Sequence, residues 1–404
     1  MADRTDLARL REGQRLDAVD LTVAEAAALT ASHLVAVEPL ADGWLVTAGH
    51  TVGAVRCGDL VVRVRPKVAP LQVLRLLARA HGWAHSPLDG TGSDWGLGPG
   101  TEDDLTTTLA VLFAHEASTA FASGPARGYR PEARLLPVLR GRLDVRDQEL
   151  RRFGRPTPLA VTVDEWTTDT AENRRLRAAG HRLLALPVLP RGAVDRLVWL
   201  DRLLAAVPLE VDPPPWRPAH LDVRLHRLLH LADLVLAHRA VEQRAGRVEL
   251  RGCTLSMATL FEKLIIRLLT EAAAAAGPGF AVWGRSSCGL DAADRLTIEP
   301  DLMVTAGSRA AAVADVRYEL AAGGRLTNPD AYRLIAYCAR LGLDTGHVLH
   351  ASDGPRSELY DVLGAGTRLV VHGIDVRQPV SELARSVQKV FLKLVRLRPT
   401  SATA

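Results

Sequence analysis

Two short acidic motifs in the last third of the chain hold residue types suited to phosphoryl chemistry. Glu299-Pro300-Asp301 is followed, after Gly307-Ser308, by Asp315-Val316-Arg317-Tyr318. Both motifs read as strands of one hairpin. Side chains alternate along a strand, so Asp315 and Arg317 share a face. A hairpin centred on Ser308 sets Asp301 opposite Asp315 on that face. A two-residue turn at Gly307-Ser308 shifts the pairing by one and separates them. Two carboxylates a few ångströms apart repel each other unless a cation lies between them. Mg2+ suits that place, because it takes oxygen ligands, keeps waters and bridges to phosphate. It would acidify a bound water, and Arg317 would help to stabilise charge on a phosphate under attack.

The elements that must position these groups can be read around them. Residues 255–276 predict a helix whose core face is Leu260, Phe261, Leu264, Ile265 and Leu268. Glu262 shares a stripe with Ala258, Ile266 and Leu269, so a half-buried carboxylate there is a third metal-ligand candidate. A helix over 328–341 has Asn328 as its N-cap, Pro329 in the first turn and Gly342 after its end. Arg333 and Tyr337, four apart, lie on one face of it. Strands are expected at 295–304, 311–319, 345–351 and 368–373, with a basic helix at 381–396. This alternation implies an α/β unit on a mixed sheet.

Upstream, residues 34–68 read as short strands broken by turns, and 70–82 as a helix opened by Pro70. A loop is expected at 84–103, a helix at 104–123 and extended segments within 129–163. Helices follow at 171–186, 194–207 and 219–244, with a boundary at Pro213-Pro214-Pro215. The expected fold class is therefore multidomain α/β. Residues 1–100 form a β-rich N-terminal domain, 101–250 a mainly helical middle, and 251–404 the mixed-sheet domain.

Composition narrows the function classes. The 404 residues are 48% hydrophobic with a net charge of +4, compatible with a polyanionic partner. There is no apolar run of the roughly 18 residues a membrane span needs, and no apolar leader follows the charged N-terminus. Cys57, Cys253, Cys288 and Cys338 are scattered without a CxxC pair, which favours a reducing cytoplasm over a zinc ribbon or disulfide framework. Lys67, Lys263, Lys389 and Lys393 are the only lysines; the other basic residues are Arg.

The ordered set LFE (260–262), EPD (299–301), DVRY (315–318) and RLIAY (333–337) resembles McrC, the nuclease subunit of McrBC-type 5-methylcytosine restriction systems, and its PD-(D/E)xK domain. VRPKVAPLQVLRLLARA (64–80), LPVLRGRLDVR (136–146) and DTAENRRL (169–176) resemble McrC segments in the same order. The resemblance implies a Mg2+-dependent endonuclease acting on double-stranded, modified DNA. Asp301 and Asp315 would be its metal ligands, with Glu262 a plausible third. It also implies a AAA+ GTPase partner of McrB type, docked by the N-terminal part. GTP would sit on that partner, since this chain has no GxxxxGK[ST] phosphate loop.

Two residues depart from the family pattern. Arg317 stands where the family has Lys, and Arg333 where the related pattern has Gln. Arg keeps the charge but cannot act as a base. An active nuclease and a degenerate adaptor that binds DNA and stimulates a GTPase therefore both remain open, as does a stand-alone DNA-binding protein. His226 and His230 have zinc-ligand spacing but no HExxH glutamate, which favours a solvated helix face. The basic residues Arg385, Lys389, Lys393, Arg396 and Arg398 fit phosphate contacts or a solvated face equally. Arg140, Arg142 and Asp144 fit a salt-bridge cluster or a partner contact. Gly96, Gly98 and Gly100 do not open a helix after a strand, so no dinucleotide site is read there.

Overall fold

The computed structural model describes residues 4–82, 104–153, 155–186, 189–216, 223–237, 243–245, 248–291, 293–320 and 325–396. The 84–103 loop, Gly96, Gly98, Gly100 and Arg398 lie outside them.

The fold is mixed α/β, as the sequence predicts. The N-terminal strands form two sheets. Strand Gly43–Ala48 is the centre of a three-stranded sheet between Arg15–Val19 and Val35–Leu40. Strands Thr51–Cys57 and Leu60–Arg65 form a hairpin in a second sheet. Its next strand is Val248–Ser256, which pairs along Thr51–Cys57 from Leu250↔Cys57 to Ser256↔Thr51. The division expected at residue 250 falls inside this strand, because unpaired backbone groups of Thr51–Cys57 are satisfied from far along the chain. One apolar core runs from Leu7 through Phe113 and Leu228 to Phe391, so packing crosses every expected boundary.

In the middle region, helices Leu105–Ala120, Ala171–Leu184, Arg191–Leu203 and Val223–Ala237 pack together. Helix Leu105–Ala120 is buried nearly all round, as expected of a helix inside a bundle. The helix expected over 219–244 differs: residues 243–245 are a strand paired with 248–250, and 219–222 and 238–242 lie outside the described residues. The Pro213-Pro214 segment is not a free linker, since Arg175 donates to both carbonyls at 2.9 and 3.3 Å. A three-stranded sheet, Gly128–Leu136, Leu159–Thr167 and Arg142–Leu143, rises from this bundle. It and the adjoining turns expose Tyr129, Leu135, Val138, Leu139, Leu150 and Phe153.

The C-terminal domain is a six-stranded mixed sheet. Its spatial order is Phe280–Gly284, Leu302–Ala306, Arg309–Arg317, Thr345–Ser352, Thr367–Asp375, Arg356–Val362. The pairings of Arg309–Arg317 with Thr345–Ser352, and of that strand with Thr367–Asp375, are parallel. Helix Asn328–Leu341 covers one face through Leu334, Tyr337 and Cys338 against Val313, Val348 and Val371. Helices Met257–Ala276 and Val380–Arg396 cover the other, where Ala314, Val316 and Tyr318 join the main core. Burying a Leu or Phe of this kind contributes roughly 1.5–3 kcal/mol, so the two helix layers fix the sheet firmly. Among the described residues no helix is long and apolar enough to cross a membrane.

Candidate functional site

The site sits where Arg309–Arg317 meets Leu302–Ala306, on the face beneath helix Asn328–Leu341. The hairpin between these strands combines both registers left open by the sequence. Its tip is the two-residue turn, with Ala306 paired to Arg309 and Thr305 to Ala310. Ala311 is then unpaired, and beyond it Val304 pairs with Ala312 and Leu302 with Ala314. This bulge shifts the register by one, as an extra residue in one strand must. Continued one step, the shifted register sets Asp301 against Asp315. Glu299-Pro300-Asp301 is not itself in a strand, contrary to the sequence reading. The ladder ends at Leu302, and Asp301 uses its side chain instead: its Oδ2 accepts the Val316 amide at 3.1 Å.

Asp315 is buried, its side chain only 1% exposed. Burial, then the nearby Asp301 carboxylate, push its pKa up to about 7. Two guanidiniums offset this charge. Arg317 Nη2 lies 3.1 Å and Arg333 Nη2 2.8 Å from Asp315 Oδ2. The same two nitrogens reach Asp330 Oδ1, at 3.3 and 2.5 Å. Asp301 is 4.0 Å from Arg317 Nη1. Arg333 and Tyr337 do share one helix face: Tyr337 donates to the Glu299 carbonyl at 3.2 Å, holding the EPD segment against the helix. Burial and the two aspartates push the Tyr337 hydroxyl pKa up to about 12, so it stays a donor.

Asp330 was not legible as a site residue. Thr327, not Asn328, is the N-cap, and its hydroxyl both accepts the Asp330 amide and donates to the Asp330 carboxylate. The sequence signal was a T-x-x-D capping pattern, which reads as helix punctuation alone.

Glu262 stands apart from the aspartate pair. Its helix packs on the opposite face of the sheet, and the half-buried carboxylate is held by Arg285 through two bonds of 2.8 and 3.0 Å. Arg285 follows the edge strand Phe280–Gly284, and its amide donates to the Asp301 carbonyl at 3.1 Å. It therefore stands between Glu262 and the EPD segment. Among the described residues no three His, Cys, Asp or Glu side chains are grouped to hold a metal ion. Two carboxylates, one of them buried and costly to ionise, nonetheless suit a hard cation that keeps most of its waters. Asp301 and Asp315 would be the donors for such an ion, while Glu262 is engaged by Arg285.

Several residues of the upstream motifs hold the scaffold together. In DTAENRRL, Asn173 donates to the carbonyls of Ala126 and Thr168, Asp169 pairs with Arg130 and Arg174, and Arg175 binds Asp233. Hydrogen bonding from Arg174 holds Asp169 below the usual carboxylate range. In LPVLRGRLDVR, Gly141 has φ +81°, and a Cβ there would lie 2.3 Å from the Thr162 carbonyl oxygen. Asp144 caps helix Val145–Leu150 rather than joining a salt-bridge cluster. Lys67 binds Glu319, and Gln72 binds the carbonyls of Val376 and Gln378, tying the N-terminal helix Pro70–Ala80 to the C-terminal domain. His226 and His230 are not a solvated face: both rings pack on Trp216, and burial lowers the His230 pKa. In the C-terminal helix Arg385, Lys389 and Lys393 are exposed, four apart, opposite buried Leu383, Val387 and Phe391.

The arrangement is an α/β sheet with an aspartate pair, an arginine two residues beyond the second and a covering helix. The profile of the family described as McrBC 5-methylcytosine restriction system component matches residues 46–350, well over half of the chain, and the chain belongs to that family. Its fold is similar to a chain of the Thermococcus gammatolerans assembly of McrB AAA+ hexamers with bound McrC. That match has a TM-score of 0.62 at 17% identity and covers 96% of this chain and 99% of that one. A second match, to the cryo-EM structure of the McrBC complex of the same organism, has a TM-score of 0.43 at 19% identity over 65% of this chain and 87% of that one. None of the curated proteins matches the chain.

Proposed function

We propose that this chain is the DNA-cutting subunit of a GTPase-driven restriction complex acting on modified, 5-methylcytosine-bearing DNA in the cytoplasm. The observation that carries the reading is the bulged hairpin that brings Asp301 against buried Asp315, with Arg317 hydrogen-bonded to Asp315 and 4.0 Å from Asp301. Asp301 and Asp315 would hold Mg2+, which supplies an activated water and neutralises charge on the scissile phosphate. Arg317, fixed on the strand beside Asp315, presents a permanent positive charge to the phosphate as its charge grows in the transition state. Tyr337 keeps the Glu299–Asp301 segment in place through its bond to the Glu299 carbonyl.

The partner would be a AAA+ GTPase, as in the relative whose assembly pairs McrB hexamers with McrC. The exposed apolar residues of the 128–153 segment, interleaved with Arg140, Arg142, Arg146 and Arg151, give a surface of the kind that partners cover. This surface would add to the docking part expected at residues 1–100. A second reading, the non-cutting adaptor, is favoured by one observation: both Arg317 and Arg333 sit on Asp315.

Plasmid cleavage decides between them. Methylated and unmethylated plasmids are incubated with the chain, a McrB-type GTPase, GTP and Mg2+, alongside Asp315→Ala and Arg317→Lys. Cleavage by the wild type that Asp315→Ala abolishes supports the nuclease. Stimulated GTPase without cleavage by any of the three supports the adaptor.

A further inference from the structure

The site carries more positive charge than a two-aspartate metal site needs. Asp315, Arg317, Asp330 and Arg333 form a closed ring in which each guanidinium lies within ion-pair distance of both carboxylates. The ring is neutral in sum, which leaves only the charge of Asp301 to attract a cation. The hold of Arg333 on this ring is also incomplete. Its Nη2 serves both aspartates, while its Nε–H is buried without a hydrogen-bond partner. A buried donor left unpaired costs roughly 1–3 kcal/mol, so a partner for it is worth having. The Nε and Nη2 hydrogens form the edge with which Arg grips two oxygens of one phosphate. The Nε edge itself is shielded, but the side chain is 40% exposed, so the guanidinium can swing outward to meet such a group.

The geometry points to Arg333 as a transferable cation: it occupies Asp315 in the free protein and passes to a DNA phosphate, freeing Asp315 for the divalent ion. Cation uptake is then coupled to DNA binding. No bond is made or broken in the exchange; one ion pair replaces another. Asp330 is the positioning residue that keeps Arg333 near the site, through its 2.5 Å bond one helical turn back. This rests on the nuclease reading above.

The test measures Mn2+ binding directly, by the electron paramagnetic resonance of the free ion, in the full chain. Wild type, Arg333→Gln and Arg333→Met are compared with and without a short DNA duplex, and Asp315→Asn serves as the site control. Without duplex, both Arg333 variants should bind Mn2+ about tenfold more tightly than wild type, the effect of lifting one charge from a low-dielectric carboxylate. With duplex, the three should agree within about twofold. Equal affinities without duplex, with binding lost in Asp315→Asn, would overturn the hand-over and leave the nuclease reading standing. A tenfold gap that persists with duplex would overturn transfer to phosphate. No Mn2+ bound by any of the three, with duplex or without, would remove the metal-dependent nuclease reading and the hand-over with it.

Discussion

Asp315→Asn should abolish cleavage and, in the absence of divalent ions, make the protein more stable. The Asp315 carboxyl has a pKa of about 7 in the fold, against 3.8 for an exposed aspartate. Each unit of that rise corresponds to about 1.4 kcal/mol by which folding disfavours the ionised form. The sign follows from linkage. A carboxyl whose folded pKa is raised imposes no penalty below pH 3.8, a growing one between 3.8 and 7, and a full one above 7. Integrated, the penalty is about 4 kcal/mol at pH 8, roughly 2 kcal/mol at pH 5 and near zero at pH 3.5. Asparagine mimics the neutral acid at every pH and escapes it. Urea unfolding in EDTA at pH 8 and pH 5 should therefore show a gain for the variant that is larger at pH 8. The same loss of charge removes the cation ligand, so adding Mn2+ should stabilise the wild type and not the variant. A variant less stable than wild type at pH 8, or a gain independent of pH, would refute the account of Asp315 as a carboxylate held at a cost for its chemistry.

Three further outcomes follow from other parts of the fold. His347 and His372 are buried neighbours on adjacent parallel strands, with pKa values pushed by burial down to about 3 and about 4. Unfolding lets both rings take up protons below pH 6.5, so urea titrations should lose about 4 kcal/mol of stability between pH 7.5 and pH 5, and a His347→Leu/His372→Leu pair should flatten that slope. Glu262→Gln should lower cleavage far less than Asp301→Asn, since Glu262 engages Arg285 and not the aspartate pair; equal losses in kcat would show that Glu262 is a ligand after all. Arg317→Lys should retain cleavage within about a hundredfold while Arg317→Ala falls further, as one transition-state charge contributes roughly 2.7–4 kcal/mol; parity between the two in single-turnover rates would deny Arg317 an electrostatic role.

What the sequence made legible depended on how strongly each residue was marked locally. Helix Asn328–Leu341 was readable end to end because Pro329 and Gly342 bracket it. The central strands were readable because their apolar runs are bounded by turns. Strands Phe280–Gly284 and Arg356–Val362 passed unread: both lie at the sheet's edges, one short and the other largely polar, so neither shows a buried pattern. The aspartate pair was legible as chemistry, but its register was not. The bulge falls within Ala310-Ala311-Ala312, and three identical residues give no sign of which one is left unpaired. Asp330 and Arg285 escaped because an acid in a first helical turn and an arginine in a loop are ordinary until a fold brings them to a site.

The unpaired Ala311 also makes the hairpin a counter of parity. Insertions at exposed turns such as Gly307-Ser308 are usually tolerated, because a loop absorbs them at little cost. Here, where the two-residue turn is kept, one residue added to or lost from the paired segments between Thr305 and Ala312 changes an even offset to an odd one, and Asp301 then meets the wrong side of its neighbour. Two changes of the same kind restore it. Related chains that keep the two-residue turn should therefore differ in strand length between these aspartates by even numbers of residues, or else carry a second bulge that cancels the first. A site with no clash and no missing ligand could thus be silenced by a change of one residue in the paired strands, several residues from the chemistry.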